Sequence, residues 1–118
     1  LHMDKKKHGD TRCWHWPVVS YAPSVHNILR DLTIDVAEKN NIKYQRQASS
    51  RYTGTDTDAF AFSNGGLSST LISLPLKYMH TTVESVDKND VQATIDLMYH
   101  TLLALDPTED YKYIKWLK

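Results

Sequence analysis

LISLPLKYMHTTVESV (residues 71–86) is the stretch on which the fold turns. Its first half is a continuous apolar and β-branched run, which suits a strand covered on both faces, and the strand is expected over residues 69–76. A histidine, His80, stands where that strand should end. Strand ends are where α/β proteins present chemistry, and the carboxyl ends of parallel strands face a crevice. One imidazole makes no site, so its partners must be sought elsewhere in the chain. The plainer reading of His80 is a strand-end histidine hydrogen-bonded to a loop.

Upstream, PVVSYA (residues 17–22) reads as a short strand with Pro17 at its first position, where a missing N–H is tolerated. PSVHNILRDLTIDVAEKNN (residues 23–41) reads as a helix. Ser24 is the expected N-cap, Val25, Ile28, Leu29, Leu32 and Val36 form one apolar stripe, and Asn40 and Asn41 close it. IKYQRQASS (residues 42–50) alternates as a second strand with Ile42, Tyr44 and Arg46 on one face. RYTGTDTDAFAFSNGG (residues 51–66) reads as a loop and a short helix. Thr55 or Asp56 caps that helix, Ala59, Phe60 and Phe62 are its apolar residues, and Asn64-Gly65-Gly66 ends it. The last helix should start near Asp87, with Asp87 and Asp90 favourable at its positive end. Its expected stripe is Val91, Ile95, Met98, Leu102 and Leu105, and Pro107 stops it.

The order β-α-β-α-β-α predicts an α/β fold, a piece of a mostly parallel sheet with helices packed on it. Residues 1–16 read as a loop, and the tail around Tyr111, Ile114 and Trp116 as a short extra turn. A third strand apolar on both faces wants neighbours. The chain is therefore expected to be part of something larger, or an obligate oligomer.

With 118 residues the chain has room for one small domain. Its net charge of zero offers no electrostatic case for nucleic acid or an anionic membrane. The run Lys5-Lys6-Lys7-His8 reads as a solvated end. A single cysteine, Cys13, excludes an intrachain disulfide and fits a reducing compartment. With no membrane-length apolar run and no signal pattern, a cytoplasmic location is expected. Leu1-His2-Met3 resembles a cloning remnant, which places the expected native start near Met3.

Candidate chemistry is sparse. No HExxH or CxxC cluster appears, and His2, His8, His15, His26 and His100 are scattered. His15, between Trp14 and Trp16, stands out among these, whereas His26 and His100 fall on helices as partly surface residues. Asp56 and Asp58 are accounted for as helix cap and first-turn acid, since positions i and i+2 do not share a helix face. Alternatively, Thr53, Gly54 and Thr55 cradle a ligand with their backbone N–H groups. No GxSxG marks a serine nucleophile, Cys13 has no partner base nearby, and nothing marks a glycosidase carboxylate pair.

Two separated stretches change the picture. GTDTDAFAFSNGGLSSTLISLPLKYMHTTVESVDKNDV (residues 54–91), joined upstream by HGDTRCWHWPVVSYAPSVHN and AEKNNIKYQ, resembles the C-terminal catalytic segment of the glutamyl or deblocking aminopeptidase family. Members are often labelled cellulase M or endoglucanase. The resemblance implies a three-layer, phosphorylase/hydrolase-like zinc peptidase domain, with residues 17–118 as the C-terminal portion of its catalytic domain. It implies a pair of divalent metals, zinc or cobalt, peptide substrates and a homo-oligomer. It implies His80 as a metal ligand and Gly54, Thr55 and Asp56 on the substrate side. The family's other ligands, its general base and its smaller inserted domain lie in parts absent from this chain, and no metal role passes to Asp4. Arg51-Tyr52 and Thr57 also depart from the family pattern. The expectation is a fragment that is inactive alone and binds no metal stably. The alternative is a non-catalytic oligomerising or interaction domain. Neither reading involves nucleic acid or a membrane.

Overall fold

The computed structural model describes residues 16–112. Asp4, the run Lys5-Lys6-Lys7-His8, Cys13, Trp14 and His15 lie outside the described residues, as do Ile114 and Trp116. The fold is organised around β1 (Val18–Tyr21). Val18 and Val19 are removed from water, which is what the apolar PVV run requires. β1 pairs in parallel with β2 (Gln45–Ala48), Val18 opposite Gln45 and Tyr21 opposite Ala48. On its other side it pairs with β3 (Ile72–Ser73), Val19 opposite Ile72.

The α/β class is as expected, but β3 runs antiparallel to β1, so the sheet is mixed with order β2-β1-β3. The connection from β2, residues 49–71, which carries α2 (Thr57–Phe60), brings the chain back beside the carboxyl end of β1. There the His26 N–H donates to Ser69 O at 2.8 Å and the Ser20 N–H to Leu71 O at 3.1 Å, and from that point β3 runs back along β1. It is also shorter and less covered than expected, two half-buried residues. Pro75, which has no N–H, follows shortly after.

α1 (Asn27–Lys39) is capped by His26 rather than Ser24, the His26 Nδ1 accepting from the Leu29 N–H at 3.5 Å. Its buried residues are Thr33, Ile34, Val36 and Ala37, while Ile28 is half-exposed. Thr33 is tolerated there because its hydroxyl donates to Leu29 O at 2.8 Å. Asn40 closes the helix and Asn41 takes a left-handed φ of 53°, which asparagine adopts readily. Ile42 and Tyr44 precede β2 and pack on the core, whereas Arg46 within the strand is exposed.

α3 (Lys88–Ala104) starts at Asp87, whose carboxylate accepts from the Asn89 N–H at 2.7 Å. Its buried residues are Asp90, Leu97 and Thr101. The expected stripe is displaced: Ile95, Met98 and Leu102 point to solvent. α1 and α3 pack on each other and, with Val19, form a single cluster of Val19, Ile34, Val36, Ala37 and Leu97.

Leu97 is 0% exposed at the centre of this cluster, whereas Leu102 is 66% exposed. Leu97→Ala is expected to destabilise the fold by roughly 2–5 kcal/mol through lost burial and a residual cavity. Leu102→Ala should change stability by less than about 0.5 kcal/mol. Urea titrations of the two variants check the contrast, and equal losses would overturn this assignment of the core.

Candidate functional site

Two places hold the residues singled out from the sequence. The first is the loop around Gly54. Asp58, in the first turn of α2, reaches back over the loop: its Oδ1 accepts from the Thr53 N–H at 3.0 Å and its Oδ2 from the Gly54 N–H at 2.9 Å. The Ser24 hydroxyl donates to Oδ1 at 2.7 Å, tying the loop to the turn after β1. The Thr55 N–H turns to Thr53 Oγ1 at 3.2 Å. All three amides of the expected ligand cradle are thus committed inside the loop. Gly54, at φ 73°, adopts the backbone that glycine allows without penalty. Asp56 occupies the N-cap position of α2 without a side-chain capping bond, and Asp56 and Thr55 are exposed.

Burial acts to raise the Asp58 carboxyl. The donors from Thr53, Ser24 and Gly54 outweigh it and lower the pKa from 3.8 to about 2. Beside the loop lies an open groove of about 340 Å³, lined among others by Arg51, Tyr52, Asp58 and Phe62. The Arg51 guanidinium sits 5.4 Å from the centre of the Tyr52 ring.

The second place is the His80 loop. Lys77 and Ser85 pair as an antiparallel bridge, with N–H to O distances of 2.9 and 3.2 Å, and close the loop at its base. Within it Tyr78 and His80 take φ of 58° and 62°, unusual for side-chain-bearing residues. The Glu84 carboxylate holds this shape by accepting from the His80 N–H. Thr81 donates through both its N–H and its hydroxyl to Tyr78 O, at 3.2 and 2.5 Å. The His80 side chain is left exposed.

These two places lie at opposite ends of the sheet. The Gly54 loop is fastened to Ser24, beyond the carboxyl end of β1. The His80 loop leaves β3 beside the amino end of β1 and leads into α3, whose Asp90 Oδ1 accepts from the Trp16 N–H at 2.8 Å. The expectation that His80 opens into a crevice at the carboxyl ends of parallel strands is therefore corrected by the direction of β3. His26 is buried at the start of α1, and His100 is half-buried against Tyr99. Among the described residues no three His, Cys, Asp or Glu side chains are grouped to hold a metal ion. A catalytic zinc takes three protein ligands and an open position, so the described residues do not fit a metal pair by themselves. Reading the sequence alone missed Asp58 and Glu84 as loop organisers. Each lies four residues after the amide it receives, Gly54 and His80 respectively.

The fold places the chain among aminopeptidase catalytic domains. It is similar to the TET aminopeptidase of a marine sediment archaeon of the Thaumarchaeota, at TM-score 0.74 and 25% identity over 82% of this chain and 28% of that one. It is similar to the TET1 peptidase of Pyrococcus horikoshii, at TM-score 0.70 and 26% identity over 90% of this chain and 31% of that one. In sequence it is 36% identical over 93 residues to lysyl aminopeptidase of Pyrococcus furiosus, covering 79% of this chain and 27% of the relative. The chain belongs to the M42 glutamyl aminopeptidase family, whose pattern matches residues 6–97. It spans about a quarter of the length of the curated relatives it matches.

Because the Asp58 pKa is lowered in the fold, its contribution to stability is complete above the ordinary aspartate range. That contribution falls away as pH drops from about 4 towards about 2. Asp58→Asn should flatten this part of the melting-temperature profile and speed hydrogen exchange at the Thr53 and Gly54 amides. An unchanged acid profile in the variant would show that the carboxylate does not organise the loop.

Proposed function

We propose that this chain is the carboxyl-terminal portion of the catalytic domain of a metal-dependent aminopeptidase. In this reading His80 is one ligand of a divalent-metal pair, zinc or cobalt. The remaining ligands and the general base lie in the part of the domain that this chain does not span, and the chain alone does not cleave peptides. The observation that carries the reading is that the family match takes in the loop presenting the exposed imidazole of His80, while no three His, Cys, Asp or Glu side chains are grouped among the described residues.

A metal pair, when bound, supplies an activated water and polarises the scissile carbonyl. The residues of this chain supply position. The Lys77–Ser85 bridge and Glu84 fix the backbone at His80, so the imidazole is presented on a pre-shaped turn. Pre-shaping lowers the ordering cost of ligation. Gly54, Thr55 and Asp56 are assigned a peptide contact remote from His80, made through the outer face of their loop because its amides are already committed. The groove beside Arg51 and Tyr52 borders this surface.

The second reading, a non-catalytic interaction module, is favoured by the apolar solvent face of α3. Self-association belongs to both readings, in keeping with the TET1 peptidase of Pyrococcus horikoshii, which can assemble into a tetrahedron or a large octahedral shell. A cytoplasmic location is part of the same proposal. No helix among the described residues is long and apolar enough to cross a membrane.

An aminopeptidase assay tests the reading, with free and N-blocked peptides and added zinc or cobalt. The purified, folded chain is expected to release no amino acid from either. Metal-dependent release from free N-termini that survives His80→Ala would sink the role assigned to His80. Release that His80→Ala abolishes would instead show a complete site within this chain.

A further inference from the structure

We propose that the groove beside the Gly54 loop binds a free α-amino acid with an aromatic or large aliphatic side chain, Arg51 taking its carboxylate and Asp58 its ammonium group. The site stands on this chain's own groups, lies at the opposite end of the sheet from His80, and does not depend on the catalytic reading.

The groove carries one charge of each sign. Arg51 and Asp58 both line it, and among the described residues no ion pair joins them. Arg30 and Arg46 spend their guanidinium groups on neighbours, Arg30 on Asn27 and Asp31, Arg46 on Tyr44. Arg51 meets no such acceptor among the described residues and rests 5.4 Å from the centre of the Tyr52 ring. An aromatic face steers a guanidinium without using its N–H donors, so the fork stays available for a planar carboxylate. Asp58 is held by neutral donors, the Thr53 and Gly54 amides and the Ser24 hydroxyl, which fix it in place and leave its charge without a counter-cation. Its Oδ2 takes the Gly54 amide, and a carboxylate oxygen accepts a second donor. With its pKa lowered to about 2 it stays ionised at neutral pH.

Charge decides the class of ligand. A plain anion meets Asp58 and a plain cation meets Arg51, and each like-charge approach is penalised. A molecule with both charges satisfies both ends. Tyr52 and Phe62, 63% and 85% exposed, then offer aromatic walls to an apolar side chain. The volume of about 340 Å³ is at the lower end of small-molecule pockets, roughly 300–1,000 Å³, which suits one amino acid better than a peptide. Gly65 and Gly66 add no side chain to the wall, and a Cβ at Gly65 would meet nothing within 4 Å.

Titration of the isotope-labelled chain with L-phenylalanine, followed by amide NMR, tests the site. Saturable shifts are expected at the Thr53, Gly54, Gly65 and Gly66 amides and none at His80. N-acetyl-L-phenylalanine removes the ammonium group and L-phenylalanine amide removes the carboxylate. Each should bind about tenfold or more weakly, the loss expected for one charge-assisted hydrogen bond. Glycine should lose at least as much, because it has nothing to lay against the aromatic walls. Arg51→Gln, at an exposed position, should keep the circular dichroism signal and bind L-phenylalanine and its amide equally weakly. If that variant unfolds, Phe62→Ala replaces it and should weaken L-phenylalanine towards glycine. Absence of saturable shifts overturns the proposal, as does equal binding of L-phenylalanine and its amide by wild type. Tighter binding of L-phenylalanyl-L-phenylalanine overturns it too, since the occupant is then a peptide. So do shifts that appear only once residues 113–118 are deleted, because the groove then belongs to that segment.

Discussion

Everything in this fold hangs on β1 being paired on both sides. Its two valines are fully buried, and one of them, Val19, joins the cluster that unites both long helices. A central strand has no free backbone groups to spend on a site, so chemistry is displaced to the loops beyond its ends. The direction of its neighbours then decides which loop goes where. Parallel β2 delivers the Gly54 loop near the carboxyl end, and antiparallel β3 delivers the His80 loop near the amino end. The antiparallel direction of β3 separates two motifs that lie only about 25 residues apart in sequence.

Both loops solve the same problem with a carboxylate. A turn that leaves the sheet has amides with no ladder partner, and these turn to side-chain acceptors or to water. Asp58 collects two of them together with the Ser24 hydroxyl, and Glu84 collects the one at His80. Acceptor-only side chains suit this task because they offer several lone pairs from one fixed position. The consequence for function differs between the two. At Gly54 the amides are consumed internally, whereas at His80 the backbone is fixed while the side chain remains outside.

α3 shows why this chain reads as part of a larger body. Its inner side carries threonines whose hydroxyls donate to backbone carbonyls one turn earlier, Thr94 to Asp90 and Thr101 to Leu97, each at 2.7 Å. That satisfies the polar atom and offers a methyl group to the core. Its apolar stripe faces the other way, with Met98 and Leu102 bordering Leu71 and Ile72. Such an inversion is costly for an isolated domain and natural for a helix packed on two sides. The match to about a quarter of the length of its curated relatives agrees with that picture.

The sequence by itself determined the α/β class, the positions of both long helices and β1, the cap at Asp87 and the family, because these depend on local periodicity, capping chemistry and short motifs. It did not determine the inner face of α3, since Ile95, Met98 and Leu102 form as good a helical stripe as any core, and a satisfied threonine looks polar in a sequence. Nor did it determine the N-cap of α1, where Ser24 fits the preference but is drawn instead to Asp58. The direction of β3 was legible only in three dimensions, because side-chain alternation is the same whichever way a strand runs. That direction, and with it the separation of His80 from Gly54, was decided by where the chain re-enters the sheet, with the His26 N–H on Ser69 O and the Ser20 N–H on Leu71 O beside the carboxyl end of β1.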